Sequence, residues 1–217
     1  MTTAAVSTRR AQTRDRLMDA AIALFAEKGI LAASVEEICE RAGFTRGAFY
    51  SNFDSKDELL VAVLERKGEE ILQATTNATS TVPGERIEPR SVDDVIRQAL
   101  VVFQASHPID PEWLLARSEM RLYALRNPPV RQPVQDVENS LDSLLIAAIE
   151  DVVARQGARL IVPAEHLVIV LNAYYEALAT RAMMAGGDLS ENKLAGTHWS
   201  DYLAGLVRAL VDFGADS

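Results

Sequence analysis

The stretch from Ser34 to Leu60, SVEEICERAGFTRGAFYSNFDSKDELL, constrains the fold of this 217-residue chain more than any other segment. Within 27 residues it contains three helix-start signals and two tight connections. Ser34 followed by Glu37 has the pattern of a capping box, in which a hydroxyl and a carboxylate accept backbone N–H groups at a helix start. Gly43 suits the left-handed backbone that ends a helix sharply. We therefore predict a short helix between Ser34 and Gly43.

A second, shorter helix is predicted from Arg46 to Ser51, with Thr45 as its N-cap. Phe49 can face inward, and the outward positions are Thr45, Arg46, Gly47, Ala48 and Tyr50. Most of these side chains are small, so the backbone can approach base edges while Arg46 reaches a guanine. This is the shape of a recognition helix in a helix-turn-helix, the motif that places its second helix in the major groove.

The third start signal, Ser55 with Glu58, opens a long connecting helix that we predict to extend to about Ala78. Lys56 lies in its first turn, where a cation opposes the helix macrodipole. A phosphate bound at the same helix start would explain that placement. The alternative is that Lys56 is an ordinary solvated charge, and Tyr50 an ordinary packing residue.

The net charge of −9 looks unsuitable for binding nucleic acid until its distribution is considered. Residues 1–67 carry ten Lys and Arg against ten Asp and Glu, whereas residues 68–217 carry twelve against twenty-one. The acidic excess therefore lies entirely in residues 68–217, C-terminal to the predicted recognition helix. Arg9, Arg10, Arg14 and Arg16 suit an arm or helix start that lies along a phosphate backbone, or else a solvated tail.

Composition excludes several other classes of protein. A hydrophobic content of 48% supports a sizeable core, and no apolar run reaches the length of a membrane span. The first residues lack the apolar segment of a signal peptide, so we expect a cytoplasmic protein. Cys39 is the single cysteine and is expected in the core. We find no catalytic motif, no metal-ligand spacing among the three histidines and no sign of a cofactor.

Apolar periodicity predicts an all-α chain of about nine helices. The first is expected at about Thr13–Lys28, and a loop at Thr79–Ser91 interrupts the pattern. The remaining helices are predicted at Ser91–His107, Asp110–Asn127, Pro133–Gln156, Pro163–Ala185 and Thr197–Phe213. We predict a helix-turn-helix domain at 1–54 and a helical effector-binding and dimerisation domain at 55–217.

The last two predicted helices have more apolar surface than a five-helix domain needs to bury. A second copy of the chain would cover the excess as a two-fold symmetric four-helix bundle, so we predict a homodimer.

Bulky and adaptable side chains in the second domain could form an apolar cavity for a small, hydrophobic effector. The candidate lining residues are Phe103, Trp113, Met120, Tyr123, Leu144, Asn172 and Tyr175. The alternative is that these residues fill a helical core.

The run Gly43–Tyr50, with Phe53 and Ser55–Leu60, resembles the N-terminal domain of the TetR family of transcriptional regulators. The resemblance covers roughly Thr13–Arg66, about a quarter of the chain. By position, it implies that Thr45, Arg46, Gly47 and Ala48 face the bases of double-stranded DNA, and that Tyr50, Asn52 and Lys56 bind phosphates. Glu36 departs from relatives that place a basic or hydroxyl residue there, so it is assigned no DNA contact.

The family resemblance implies a dimeric DNA-binding regulator, and we expect a repressor that a small molecule releases from a palindromic operator. The ligand would wedge among the helices of the second domain, tilt the connecting helix and change the spacing of the two recognition helices. A regulator of the same fold that activates transcription or needs no ligand has the same sequence features. The alternative from another class is a helical small-molecule-binding protein or enzyme whose helix-turn-helix no longer binds DNA.

Overall fold

A computed structural model describes residues 3–80, 102–103, 105–107, 110–155, 157–186, 205 and 208–212. Its helices are α1 (Thr3–Lys28), α2 (Val35–Ala42), α3 (Arg46–Tyr50), α4 (Lys56–Ser80), α5 (Pro111–Arg126), α6 (Pro128–Arg155) and α7 (Ala164–Met184). Two strands of two residues each, β1 (Arg159–Leu160) and β2 (Val211–Asp212), pair antiparallel. The all-α prediction is confirmed, apart from this short pairing. Within the described ranges, no helix combines the length and apolar character needed to cross a bilayer.

Helix α1 begins ten residues before the predicted start at Thr13, so that boundary was wrong. No glycine or proline interrupts residues 3–13. The Thr13 hydroxyl does not cap a helix but donates to the carbonyl of Arg9, one turn earlier, at 2.9 Å. The predicted inner face of α1 is confirmed, because its four residues are at most 5% exposed: Leu17, Ala21, Leu24 and Phe25.

The boundaries of α2 agree with the prediction. The Ser34 hydroxyl accepts the Glu37 backbone N–H at 3.2 Å, and the Glu37 carboxylate accepts the Ser34 N–H at 3.0 Å. Gly43 ends the helix at φ +73°, a backbone conformation that residues other than glycine rarely adopt. Cys39 lies in the core at 3% exposure, as expected.

Helix α4 starts one residue after Ser55, whose hydroxyl accepts the Glu58 N–H at 3.0 Å. The Glu58 carboxylate accepts the Asp54 N–H at 2.6 Å rather than that of Ser55, so the predicted second capping box forms only in part. The predicted inward positions are confirmed, since all are at most 6% exposed: Leu60, Val63, Leu64 and Ile71.

Helix α5 begins as predicted at Pro111, and the Asp110 carboxylate accepts two backbone N–H groups of its first turn. Helix α6 begins at Pro128, five residues before the predicted start at Pro133. Asn127-Pro128-Pro129 ends one helix and also opens the next. Proline is tolerated in a first turn because the N–H that it lacks would have no intrahelical acceptor there.

The C-terminal region departs furthest from prediction. Helix α7 matches the predicted Pro163–Ala185 within one residue at each end. Of the predicted Thr197–Phe213 helix, residue 205 and residues 208–210 are helical and the others before Val211 lie outside the described residues. The predicted end at Phe213 was wrong, because Val211 and Asp212 are extended and pair with β1. The start of the predicted Ser91–His107 helix also lies outside the described residues.

The chain forms two compact units. The first consists of Met1–Gly68 and Asp110–Glu138, and the second of Glu69–Ile109 and Asn139–Ser217. The core of the first unit joins α1, α2, α3 and the start of α4 with buried residues of α5, such as Trp113 and Met120. These units describe packing, whereas the division into 1–54 and 55–217 is functional and stays a prediction.

Candidate nucleic-acid interface

Helix α3 has five residues, and local sequence places it. Gly43 turns the chain, and the Phe44 N–H donates to the Cys39 carbonyl at 2.8 Å, which closes α2. Thr45 then caps α3 in an extended conformation, with its hydroxyl accepting the Ala48 N–H at 3.4 Å. Phe49 is fully buried and anchors α3 to the core of the first unit.

Because Phe49 faces inward, the opposite surface of α3 faces solvent. Thr45, Arg46 and Gly47 are exposed, Ala48 is half-buried and the Tyr50 side chain is 49% exposed. The Tyr50 ring lies edge-on to Phe49, with ring centroids 5.2 Å apart. The structure thus brings five of the seven predicted DNA-binding residues together on one short accessible helix.

Arg46 is held by two neighbours on this surface. Its Nη1 lies 2.6 Å from Oε1 of Glu36 on α2, and its guanidinium lies 5.8 Å from the Tyr50 ring centroid. A hydrogen bond with Tyr50 and the charge of Glu36 raise the pKa of Arg46 above its usual value. The reading arginine predicted from sequence is therefore charged and already partnered by Glu36.

Gly47 has no internal reason to be glycine. A Cβ atom built on it would lie 3.7 Å from the Thr45 hydroxyl oxygen, an ordinary contact, and its φ is not in the left-handed region. Glycine inside a helix costs about 0.5–1 kcal/mol relative to alanine. Packing among the described residues therefore does not require a glycine at this position.

Asn52 is placed differently from the outward set. It is 8% exposed, and its amide nitrogen donates to the Ala48 carbonyl at 2.7 Å and to the Ser51 hydroxyl at 3.2 Å. Its side-chain oxygen is buried and has no partner among the described residues. A phosphate accepts hydrogen bonds but donates none at neutral pH, so binding by Asn52 requires its amide to leave these partners.

Lys56 lies at the start of α4, but its ammonium group points into the protein. It donates to the carbonyls of Ile30 and Ala33, at 2.6 and 2.8 Å, in the segment between α1 and α2. Burial lowers the pKa of Lys56, and the charge of Asp57 partly opposes this. Two of the three ammonium hydrogens thus stabilise the fold, so the phosphate contact predicted for Lys56 has at most one hydrogen to use.

The N-terminal arginines also have internal contacts. Arg10 and Arg14 donate to the carbonyls of Ser51 and Asn52 beyond the end of α3, at 3.2 and 2.6 Å. Arg14 also lies over the Phe53 ring, with its guanidinium carbon 4.3 Å from the ring centroid. Arg10 and Arg14, in the stretch predicted to lie along phosphates or in solvent, therefore support the end of α3. This was missed because the contacting residues are about forty positions apart.

The seven predicted pocket residues do not form one group. Trp113 and Met120 belong to the core of the first unit, as does half-buried Tyr123, whose hydroxyl donates to Asp57 at 2.8 Å. Burial, and then the hydrogen bond to Asp57, raise the pKa of Tyr123. Leu144 is half-buried on α6, in the second unit.

The other three, Phe103, Asn172 and Tyr175, meet around His107 in the second unit. The His107 ring stacks on Phe103 at 4.1 Å between centroids and meets Tyr175 edge-on at 4.8 Å. Its Nε2 lies 2.8 Å from Oδ1 of Asn172, whose amide nitrogen donates to Asp142 at 2.9 Å. Because the Asn172 amide nitrogen donates to Asp142, its Oδ1 is the amide atom that faces His107 Nε2.

Two residues of these sites were missed by sequence reasoning. His107 lacked any metal-ligand spacing, and its position before Pro108 suggested only the end of a helix. Glu36 was read as a departure without a contact. Within the described part of the chain, no cluster of three or more His, Cys, Asp or Glu side chains could hold a metal ion.

Comparison with known proteins agrees with this geometry. The family model for bacterial regulatory proteins of the tetR family matches residues 17–63. The HTH-type transcriptional regulator SrpR of Pseudomonas putida is 45% identical over 53 residues, which are 24% of this chain and 25% of SrpR. The HTH-type transcriptional repressor KstR of Rhodococcus jostii is 27% identical over 140 residues, 64% of this chain and 61% of KstR. The matches therefore span less than two thirds of either relative.

The likeness of fold extends further along the chain. The crystal structure of a TetR transcription regulator from Haloarcula marismortui superposes with a TM-score of 0.67 at 21% identity. The superposition covers 93% of this chain and 100% of that one. At this identity the similarity concerns the fold.

Proposed function

Because the chain belongs to the TetR family of bacterial regulatory proteins, we propose that it is a dimeric transcriptional repressor that binds a palindromic operator and responds to a small molecule. The observation that carries this proposal is the outward surface of α3. Thr45, Arg46 and Gly47 are exposed on a helix capped at its N-terminus and anchored by buried Phe49. No catalytic step is needed to explain this arrangement.

Each outward residue has a role in the proposed complex. Arg46 reads a guanine through its forked N–H groups, and the Thr45 or Ala48 methyl group contacts a thymine methyl. Gly47 lets the backbone approach the bases. Tyr50 binds a phosphate, and the remaining ammonium hydrogen of Lys56 binds another.

The dimer is proposed from the exposed apolar face of α7. Three large apolar side chains there, Ile169, Val170 and Met184, are 60%, 45% and 84% exposed. We propose that a second copy of the chain covers this face together with the C-terminal helix, which would place two recognition helices on one duplex. Productive spacing of half-sites is about one helical turn, roughly 34–36 Å.

The effector site is proposed around Phe103, His107, Asn172 and Tyr175. Three aromatic rings and one amide suit a small, mainly apolar ligand with one polar group. Trp113, Met120 and Tyr123 are left out of this site because they pack in the first unit. Ligand binding would tilt α4 and alter the spacing of the two recognition helices. Measuring that spacing with and without effector tests this step, and an unchanged spacing and mobility would contradict it.

Selection of bound duplexes from a random DNA library, followed by salt titration of the enriched duplex, tests DNA binding. We expect a two-fold symmetric site whose affinity falls steeply as salt rises, because phosphate contacts release counterions. Arg46→Ala should relax sequence preference, whereas Tyr50→Phe should weaken binding to all sequences similarly. If folded, dimeric protein enriches no sequence, the alternative of a helical ligand-binding protein or enzyme without DNA binding is favoured.

A further inference from the structure

Glu36 and Arg46 join the two helices of the helix-turn-helix on their exposed side. Glu36 lies in the first turn of α2 and Arg46 is the first residue of α3. Their charged atoms are 2.6 Å apart, although the side chains are 55% and 61% exposed. An ion pair this exposed contributes little to folding stability, so its role must be sought elsewhere.

The pair leaves Arg46 able to read a base. A guanidinium has five N–H donors in a planar fork. The Glu36 carboxylate approaches it at one terminal nitrogen, Nη1, and Tyr50 accepts one further hydrogen bond. Two parallel N–H groups on another edge are enough for O6 and N7 of guanine. Glu36 therefore restricts where the guanidinium points and does not occupy all of its donors.

The same carboxylate discourages a competing contact. An arginine on a recognition helix can bind a phosphate of any sequence, which adds affinity without specificity. A phosphate that approached the Arg46 guanidinium would also approach the negative charge of Glu36. A guanine edge presents neutral acceptors and meets much less repulsion. The acidic residue thus penalises the non-specific partner more than the specific one.

We propose that Glu36 is a specificity-determining residue, which positions Arg46 for guanine and disfavours binding of Arg46 to phosphate. This inference rests on the proposed function, since it concerns discrimination between DNA sequences. From sequence, Glu36 is assigned no contact with DNA.

The test compares Glu36→Gln with Glu40→Gln. Glu40 is also exposed on α2 but lies outside the Arg46 ion pair, so its replacement controls for the change in net charge. Affinities are measured at one salt concentration for the operator enriched from the random library and for a duplex of shuffled sequence. Glu36→Gln should raise affinity for the shuffled duplex by roughly 1.5-fold to fivefold more than for the operator, the range that one surface ion pair supplies.

Base preference provides a second readout. Glu36→Gln should weaken the preference for guanine at the position that Arg46→Ala also relaxes, and should have no further effect in an Arg46→Ala background. Glu36→Asp, which keeps the charge, should restore part of the preference. If both Gln variants raise the two affinities equally, the proposal is overturned. A changed preference for cytosine alone would also overturn it, because Glu36 would then read that base directly.

A measurement without DNA separates this proposal from the proposed function. The NMR order parameter of the Arg46 Nε–H group should fall in Glu36→Gln and stay unchanged in Glu40→Gln. Equal order parameters of the Arg46 Nε–H group in the wild type and in Glu36→Gln would show that Glu36 does not position Arg46. If the wild type enriches no DNA sequence, the proposed function fails, and the order parameters still decide whether Glu36 holds the side chain.

Discussion

Gly47 shows how a single residue can lower stability while serving binding. Gly47→Ala should raise the free energy of unfolding by about 0.5–1 kcal/mol, because the helix tolerates a Cβ atom there without a close contact. The same methyl group should weaken operator binding by blocking close approach of the backbone. Urea unfolding and DNA titration measure the two effects. A variant that binds the operator as tightly as the wild type would show that Gly47 is not at the interface.

Lys56 combines a structural role with its proposed phosphate contact. Lys56→Met keeps the aliphatic stem but leaves the carbonyls of Ile30 and Ala33 without their donor. We expect a loss of about 1–3 kcal/mol in the free energy of unfolding, the usual cost of an unsatisfied buried group. Lys56→Arg is the control that retains the charge. Unfolding curves that coincide for the wild type and Lys56→Met would contradict the structural role.

The positions of residues were predictable from sequence only where their contacts are close in sequence. Thr45, Phe49 and Tyr50 follow from a cap and the helical period, and the structure places them accordingly. Lys56 contacts carbonyls 23 and 26 residues away, and Asn52 is buried beneath the end of α3. Such contacts depend on how helices pack, which local spacing does not specify.

At the scale of elements, the start of α2 should depend on pH. The Lys28 ammonium, followed by the backbone N–H and hydroxyl of Ser34, lowers the pKa of Glu37 from 4.5 to about 2. A carboxyl whose pKa is lower in the folded state stabilises the fold fully above its unfolded pKa. This contribution is lost as the pH falls from about 4.5 through about 2.

Glu37→Gln should therefore be less stable than the wild type at pH 7, and the difference should shrink steadily below about pH 4.5. Chemical unfolding at a series of pH values measures it. Glu40→Gln removes an equal charge from the same helix and is the control. A difference between wild type and Glu37→Gln that stays constant down to pH 2 would show that the charge of Glu37 does not carry the effect.

Some helix boundaries could be predicted from local sequence and others could not. Ser34, Gly43 and Asp110 marked helix ends correctly, because each supplies the hydrogen bond or backbone conformation that a helix end needs. The start of α1 was misplaced because a threonine can return its hydroxyl to the preceding turn. Helix α6 was predicted to begin at Pro133, although Pro128 also suits a helix start. The pairing of β1 with β2 depends on residues about fifty positions apart.

At the scale of the whole molecule, assembly should control DNA binding. Ile169→Glu places a charge on the exposed face of α7 and should convert the proposed dimer to a monomer without loss of helix content. Affinity for the palindromic operator should fall roughly tenfold or more, since the two half-sites are no longer bound together. Affinity for a single half-site should be unchanged.

Sedimentation velocity and DNA titration measure these effects. Leu125→Glu changes another exposed apolar residue, 67% accessible on α5, and is the matched control. If Ile169→Glu remains dimeric, a different surface forms the dimer.

The all-helical class was predictable because it needs only apolar periodicity. The grouping of the pocket candidates was not, because Trp113 and Phe103 carry no signal of the unit in which they pack.

The dependence of α3 on its surroundings limits how its proposed DNA specificity could be transferred. A helix of five residues has no stability by itself, and here buried Phe49 and the arginines of α1 maintain its shape. The reading segment is thus not a portable module. A graft that changes operator preference should exchange only Thr45, Arg46, Gly47 and Ala48, with Glu36 treated as part of the same recognition code. Evolution of a new operator preference would meet the same restriction. The residues on the outer surface of α3 could change, whereas Phe49 and the arginines of α1 that hold α3 would have to stay.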